Sequence, residues 1–246
     1  MSLQRSSTRR IANDVKSIMT EPIDNIYYFH DETDIRLGYI LIIGFSDTVY
    51  SYGYHFFKIE FPENYPYSPP SLTYMSNNGS MRFHPNLYTC GKVCLSIINT
   101  WVGEGWTSCQ TLRSICIILS SILDNYPLLH EPGIKITDKI VNTYNLLIKY
   151  KNIELLICEI INKINHDIKY DNLFNTIFIK FKDIVNNNFI NNYDKIVEKL
   201  ENLESEFKEC NITKININIY NLNYNCDSKQ LKIILNNTYK RLNKTI

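Results

Sequence analysis

No stretch of this 246-residue sequence stays apolar long enough to span a bilayer. The basic start, with Arg5, Arg9 and Arg10, is not followed by the apolar segment of a signal peptide. An excess of one charge is missing too. The 26 Lys+Arg stand against 25 Asp+Glu, a formal net charge of +1, so long-range electrostatics argue for neither nucleic acid nor a membrane surface as partner. Nor is there a Cys-x-x-Cys pair to suggest zinc or disulfide exchange. The seven cysteines (Cys90, Cys94, Cys109, Cys116, Cys158, Cys210 and Cys226) are odd in number and widely spread, so reduced thiols are expected. A cytoplasmic site follows, with the nucleus as a second.

What is present reads as an ordered globular chain. The 44% hydrophobic and 21% charged residues are far from a disordered composition, and the length suits one core plus an appendage. Asn, Ile, Lys and Tyr are used heavily after residue 140, a coding bias that weakens propensity arguments there. Ile11, Val15 and Ile18 recur at helical spacing between Ser7 and Thr20, while Arg9, Arg10, Asp14 and Lys16 fall on other faces. An amphipathic helix stopped by Pro22 is expected. Runs rich in Ile, Tyr and Phe at 36–45 and 54–61 predict neighbouring antiparallel strands, and Ser71 to Met75 a third. Four prolines between Phe61 and Pro70 make that connection an irregular, rigid loop.

From Met81 to Glu104 neither helical nor strand period holds, so turns are expected there. Leu112, Ile115, Cys116, Leu119, Ile122 and Leu123 then predict a buried helix from about Thr111 to Leu123. Helices are expected again over 138–165, 171–187, 193–209 and 227–241, with no internal repeat. Strands clustered early and helices early and late imply an α+β fold, an antiparallel sheet flanked by helices.

The chemistry concentrates in the irregular segment His84-Pro85-Asn86-Leu87-Tyr88-Thr89-Cys90-Gly91-Lys92-Val93-Cys94-Leu95-Ser96. A His-Pro-Asn triplet with its Asn eight residues before a cysteine resembles the active-site signature of the ubiquitin-conjugating enzymes. The likeness extends back through Phe61-Pro62, Tyr65-Pro66 and Pro69-Pro70, and forward to Trp106, covering roughly residues 7 to 150. Leu95 to Gly103, with its Thr100-Trp101 insertion, Arg82-Phe83 and His130-Glu131-Pro132-Gly133 are similar to the large, Z-type branch of that family. The resemblance implies a four-stranded antiparallel meander sheet flanked by helices, a catalytic core over 1–150 and a helical C-terminal extension over 151–246.

It also implies roles. Cys94 would carry ubiquitin or a ubiquitin-like protein as a thioester, because a thiolate is a strong nucleophile and a thiol ester keeps its acyl group activated. That requires a sulfur that solvent can reach. Taken alone, Cys94 reads as a buried structural thiol. Asn86 would hold the loop and stabilise the oxyanion formed when lysine attacks, the alternative being a turn-former. His84 is expected to make structural hydrogen bonds more than to act as a base, and Pro85 to set the local backbone. Glu131 would orient or help deprotonate the incoming lysine, with an ordinary solvated carboxylate as the other reading. Cys90 reads as a loop thiol or a partner for a regulatory disulfide. No metal and no cofactor is implied.

Partners implied by the resemblance are ubiquitin or a ubiquitin-like protein, a ubiquitin-activating enzyme, a ubiquitin ligase and a substrate lysine, with no nucleic acid or membrane. The activating enzyme would meet the first helix at Arg9 and Arg10, and ligases would meet Tyr67, Ser108 and Cys109. Two departures stand out: Ser108 occupies the place of a family proline, and Thr48 to Gly53 keep only Thr48, Tyr50 and one glycine of the usual turn. The extension reads equally as a docking surface or a stabilising cap. A binding module that escorts ubiquitin without charging is a second function; a papain-like protease is a third, but it lacks the Cys-Gly-Ser-Cys-Trp surroundings and has its histidine before the nucleophile.

Overall fold

The computed structural model describes residues 2–76, 78–166 and 177–244. Helix α1 spans Ser2–Thr20, starting before the expected Ser7. Its Ile11 and Ile18 are buried as their spacing requires. Asp14, expected on a polar face, is buried as well. Its carboxylate accepts from Arg10 Nε at 2.9 Å, from the Tyr65 hydroxyl and from the Leu112 amide at 3.2 Å. A carboxylate can be buried when several donors satisfy it, and this one ties α1 to the proline-rich loop and to the start of the next helix.

Four antiparallel strands follow in meander order: β1 Ile26–His30, β2 Leu37–Ile43, β3 Tyr54–Glu60 and β4 Ser71–Tyr74. Tyr28 pairs with Ile40, Ile42 with His55 and Ile59 with Leu72. β2 to β4 match the runs expected from sequence. β1, Ile-Tyr-Tyr-Phe-His, is short and has large rings on both faces, so no period-2 pattern marks it. Gly53 ends the β2–β3 turn because Asn152 packs on it: an added Cβ would sit 1.9 Å from Asn152 Oδ1. The same Asn152 donates from Nδ2 to Ser51 O at 2.9 Å.

Helix α2, Leu112–Ser121, is capped by Thr111, whose hydroxyl accepts from the Ser114 amide while Ser114 Oγ accepts from the Thr111 amide. Leu112, Ile115, Cys116 and Leu119 bury the face that their spacing predicted. Next come α3 Lys139–Lys151, a π-helical stretch Asn152–Glu159 and α4 Ile160–His166, one continuous run close to the expected 138–165. Of the expected helix at 171–187, residues 167–176 lie outside the described ones. Of the remainder, 177–180 form a helical turn and 182–187 merge with 193–209 in α5, Lys182–Glu209. The extension is not helical throughout. β5 Lys214–Ile217 and β6 Leu222–Asn225 form a hairpin around a short 3₁₀ turn, Asn218–Tyr220, before α6 Ser228–Asn243.

β2 and β3 are buried on nearly every residue, without alternation, because both faces of the sheet are covered. On one face Phe56 meets the rings of Phe178 and Phe181, Phe29 meets Phe181, and the Tyr54 hydroxyl donates to Val185 O at 3.1 Å. All three covering residues belong to the extension. One contiguous apolar cluster therefore runs from Ile11 through Phe56 and Leu119 to Val185 and Leu235, across residue 150. A chain cut after residue 150 is expected to lose cooperative unfolding, and Phe56→Ala in the full chain to cost about 3–5 kcal/mol in a denaturant melt. A sharp, wild-type-like transition from residues 1–150 alone would contradict this assignment.

Candidate active site

Residues 81–104 are turns and isolated bridges, as their lack of period implies, apart from a short 3₁₀ helix at Ser96–Ile98. Their geometry explains the interval of eight between Asn86 and Cys94. The chain folds back through a tight turn in which Gly91 N donates to Tyr88 O and Tyr88 N to Lys92 O, both at 2.9 Å. Leu87 bridges Val93 across it. Gly91 adopts φ 90°, a conformation that favours glycine. Asn86 and Cys94 thus come opposite one another at the open end. Cys94 N donates to Asn86 O at 2.9 Å, and Asn86 Nδ2 donates to Cys94 O at 2.5 Å. On the other side, Thr100 Oγ1 accepts from Leu95 N and donates to Val93 O, both at 2.9 Å. The backbone around the cysteine is therefore gripped from two directions.

The Cys94 side chain departs from expectation. The residue is 2% exposed, not solvent-reachable, although the apolar cluster that takes in Val93 and Leu95 does not include it. It lies beneath the surface, beside the core. Cys90, in the turn itself, is exposed, and both thiols are free.

His84 is fully buried, and its Nδ1 accepts from the Asn86 amide at 2.9 Å. Burial, helped by the neighbouring His130, pushes its pKa well below the ordinary value, so the imidazole is neutral. With Nδ1 spent on the backbone, its visible work is to hold the triplet, and no hydrogen bond joins it to the Cys94 sulfur among the described residues. Pro85 is buried, and its carbonyl accepts from the Arg82 guanidinium, which also lies 3.6 Å from the centre of the Tyr88 ring. Local sequence reading gave no role to His130. Its ring is 4.8 Å from that of His84 and its Nε2 is 2.9 Å from Asp124 Oδ2. The signal was present in His130-Glu131-Pro132-Gly133 but offered no chemistry by itself. Glu131 is half-buried and not simply solvated, since its Oε2 accepts from the Tyr220 hydroxyl at 2.5 Å.

The expected partner positions divide. Arg9, Ser108 and Cys109 are exposed, and Tyr67 is 68% exposed. Arg10 is turned inward: beyond Asp14, its guanidinium donates to Ser108 O at 2.9 Å and Gln110 O at 2.5 Å. It joins α1 to the loop before α2 rather than standing free. In the insertion after the cysteine, Trp101 is exposed and Val102 is 91% exposed.

The family model described as ubiquitin-conjugating enzyme matches residues 10–166, a span that holds the whole Asn86–Cys94 loop. The chain belongs to the ubiquitin-conjugating enzyme family. It is 36% identical over 155 residues to ubiquitin-conjugating enzyme E2 Z of Xenopus tropicalis, covering 62% of this chain and 50% of that one. The Homo sapiens E2 Z is 35% identical over 153 residues, 61% of this chain and 43% of its own. Probable ubiquitin-conjugating enzyme protein 17 of Caenorhabditis elegans is 35% identical over 174 residues, 65% of this chain and 24% of its own. The chain thus spans half or less of the length of these curated relatives. Within this member of the family, an alkylating reagent is expected to modify Cys90, Cys109 and Cys210 well before Cys94, as followed by peptide mass. Alkylation of Cys94 at the rate of the exposed thiols would show that the sulfur is not covered.

Proposed function

We propose that this chain is a Z-type ubiquitin-conjugating enzyme. It accepts ubiquitin or a ubiquitin-like modifier from an activating enzyme as a thioester on Cys94, then transfers it to a substrate lysine, with or without a ligase. The observation that carries this reading is the pair of hydrogen bonds between Asn86 and the Cys94 main chain, formed inside the family-matched span. An Asn amide has two N–H groups, and the one on Cys94 O leaves the other for the oxygen of a tetrahedral adduct.

In the transfer, the lysine ammonium gives one proton to solvent by way of Glu131, and the free amine attacks the thioester carbonyl. The C–N bond forms, the negative charge gathers on the carbonyl oxygen near Asn86, and the C–S bond breaks. The adduct's surplus proton goes to the departing Cys94 sulfur, so the site returns to its starting thiol. His84 and Pro85 hold the loop; Arg9, Tyr67, Ser108 and Cys109 offer exposed positions for the activating enzyme and ligases, with Arg10 bracing that surface from within. The free state of all seven cysteines supports a cytoplasmic or nuclear site.

The cover over Cys94 favours a second reading, a module that binds ubiquitin without being charged. A charging assay separates the two. With activating enzyme, ATP and ubiquitin, a reductant-sensitive adduct is expected on the wild type and none on Cys94→Ala. Asn86→Ala should slow discharge to lysine by about a hundredfold, more than it slows loading. Binding of ubiquitin with no adduct from any modifier would support the escort and reject the transferase.

A further inference from the structure

The turn joining β5 to β6 lies beyond the family-matched residues, yet it ends on the candidate site. Tyr220 at its tip is half-buried, and its hydroxyl donates to Glu131 Oε2 at 2.5 Å. The phenol is held before it meets the carboxylate. Its ring lies 4.7 Å from the guanidinium carbon of Arg82 and 5.8 Å from the ring of buried Tyr144. Tyr144 in turn donates its hydroxyl to Arg82 O at 2.7 Å. Arg82 packs over Tyr88 of the active-site turn and donates to Pro85 O, so the hairpin tip and the His-Pro-Asn loop share one guanidinium. Behind the tip, Asn221 takes a left-handed conformation and the Ile217–Leu222 pairing closes the hairpin.

Burial, and then the bond to Glu131, raise the Tyr220 pKa above that of an ordinary phenol, so the hydroxyl stays a donor at any working pH. Glu131 is thus gripped by one oxygen. Its Oε1 makes no hydrogen bond among the described residues.

We propose that Tyr220 is a positioning residue for lysine transfer: by holding Glu131 Oε2 it fixes the carboxylate so that Oε1 accepts a hydrogen bond from the incoming lysine ammonium. Residues outside the family-matched span would then complete the acceptor side of the site. A phenol suits this task because its ring is anchored by packing while its hydroxyl reaches the carboxylate with little side-chain freedom to lose. The inference rests on the thioester reading given above.

The test uses the full chain charged with ubiquitin by activating enzyme and ATP, quenched, and then discharged onto free lysine over a range of concentrations. The readout is the rate of discharge relative to the rate of loading of the same preparation, which a general loss of fold would leave unchanged. Tyr220→Phe keeps the ring packing and removes only the donor. It should lower that ratio about tenfold, as expected for a hydrogen bond to a charged group. Glu131→Gln should lower the ratio at least as far, and adding Tyr220→Phe to Glu131→Gln should lower it no further. An unchanged ratio in Tyr220→Phe, or its full tenfold loss persisting beside Glu131→Gln, would overturn the proposal. So would an equal fall in loading and discharge together with a lowered melting temperature, the mark of a structural staple. A wild type that forms no thioester would overturn the function itself, and that result needs no variant to be seen.

Discussion

Two hydrogen bonds fix Asn86 and Cys94 face to face, and the arrangement of the site depends on them. Asn86 meets the cysteine's main chain twice, its own main-chain carbonyl accepting from Cys94 N and its side-chain amide donating to Cys94 O. The interval of eight residues is what a fold-back through the Tyr88–Gly91 turn needs to bring the two together. Thr100 grips the neighbouring Val93 and Leu95, and His84 holds the Asn86 amide. The cysteine therefore sits on a fixed backbone while its sulfur lies beneath the surface. Under the function proposed above, an acyl group would have to reach this covered sulfur while Asn86 stays held beside it.

The same economy extends to the rest of the chain. Phe178, Phe181 and Val185 lie on the face of the sheet opposite α2, and that face would otherwise present Tyr54, Phe56 and Phe29 to water. The stabilising-cap reading of the extension thereby has direct packing behind it. The β5–β6 hairpin adds a second link at the site, through Tyr220, Arg82 and Glu131. Asp14 performs a comparable service at the other end, where one buried carboxylate joins α1, the proline-rich loop and α2.

How much of this could be read from the sequence varies with the kind of signal. α2 was legible because its apolar residues keep a strict helical period, and β2 and β3 because they are long runs of Ile, Tyr and Phe. The Asn86–Cys94 interval was legible as a family signature, and the structure supplies its physical cause. β1 was not, since five residues with rings on both faces leave no alternation. The hairpin at Lys214–Asn225 was hidden by the Asn- and Ile-rich composition around it. Asp14 looked like a surface residue because its partners, Tyr65 and Leu112, are distant in sequence and visible only once the chain is folded. The cover over Cys94 and the bond from Tyr220 to Glu131 are long-range contacts of the same kind, which no local pattern encodes.

The proposed role of residue 94 is to bear the acyl group. It is tested most directly by charging Cys94→Ser with activating enzyme, ATP and ubiquitin, then mapping the product by peptide mass. A hydroxyl in the same cradle gives an oxygen ester, which resists reductant but yields to alkali. Such an ester is expected on the peptide containing residue 94. A reductant-sensitive adduct on Cys90 or any other cysteine of that variant would contradict it.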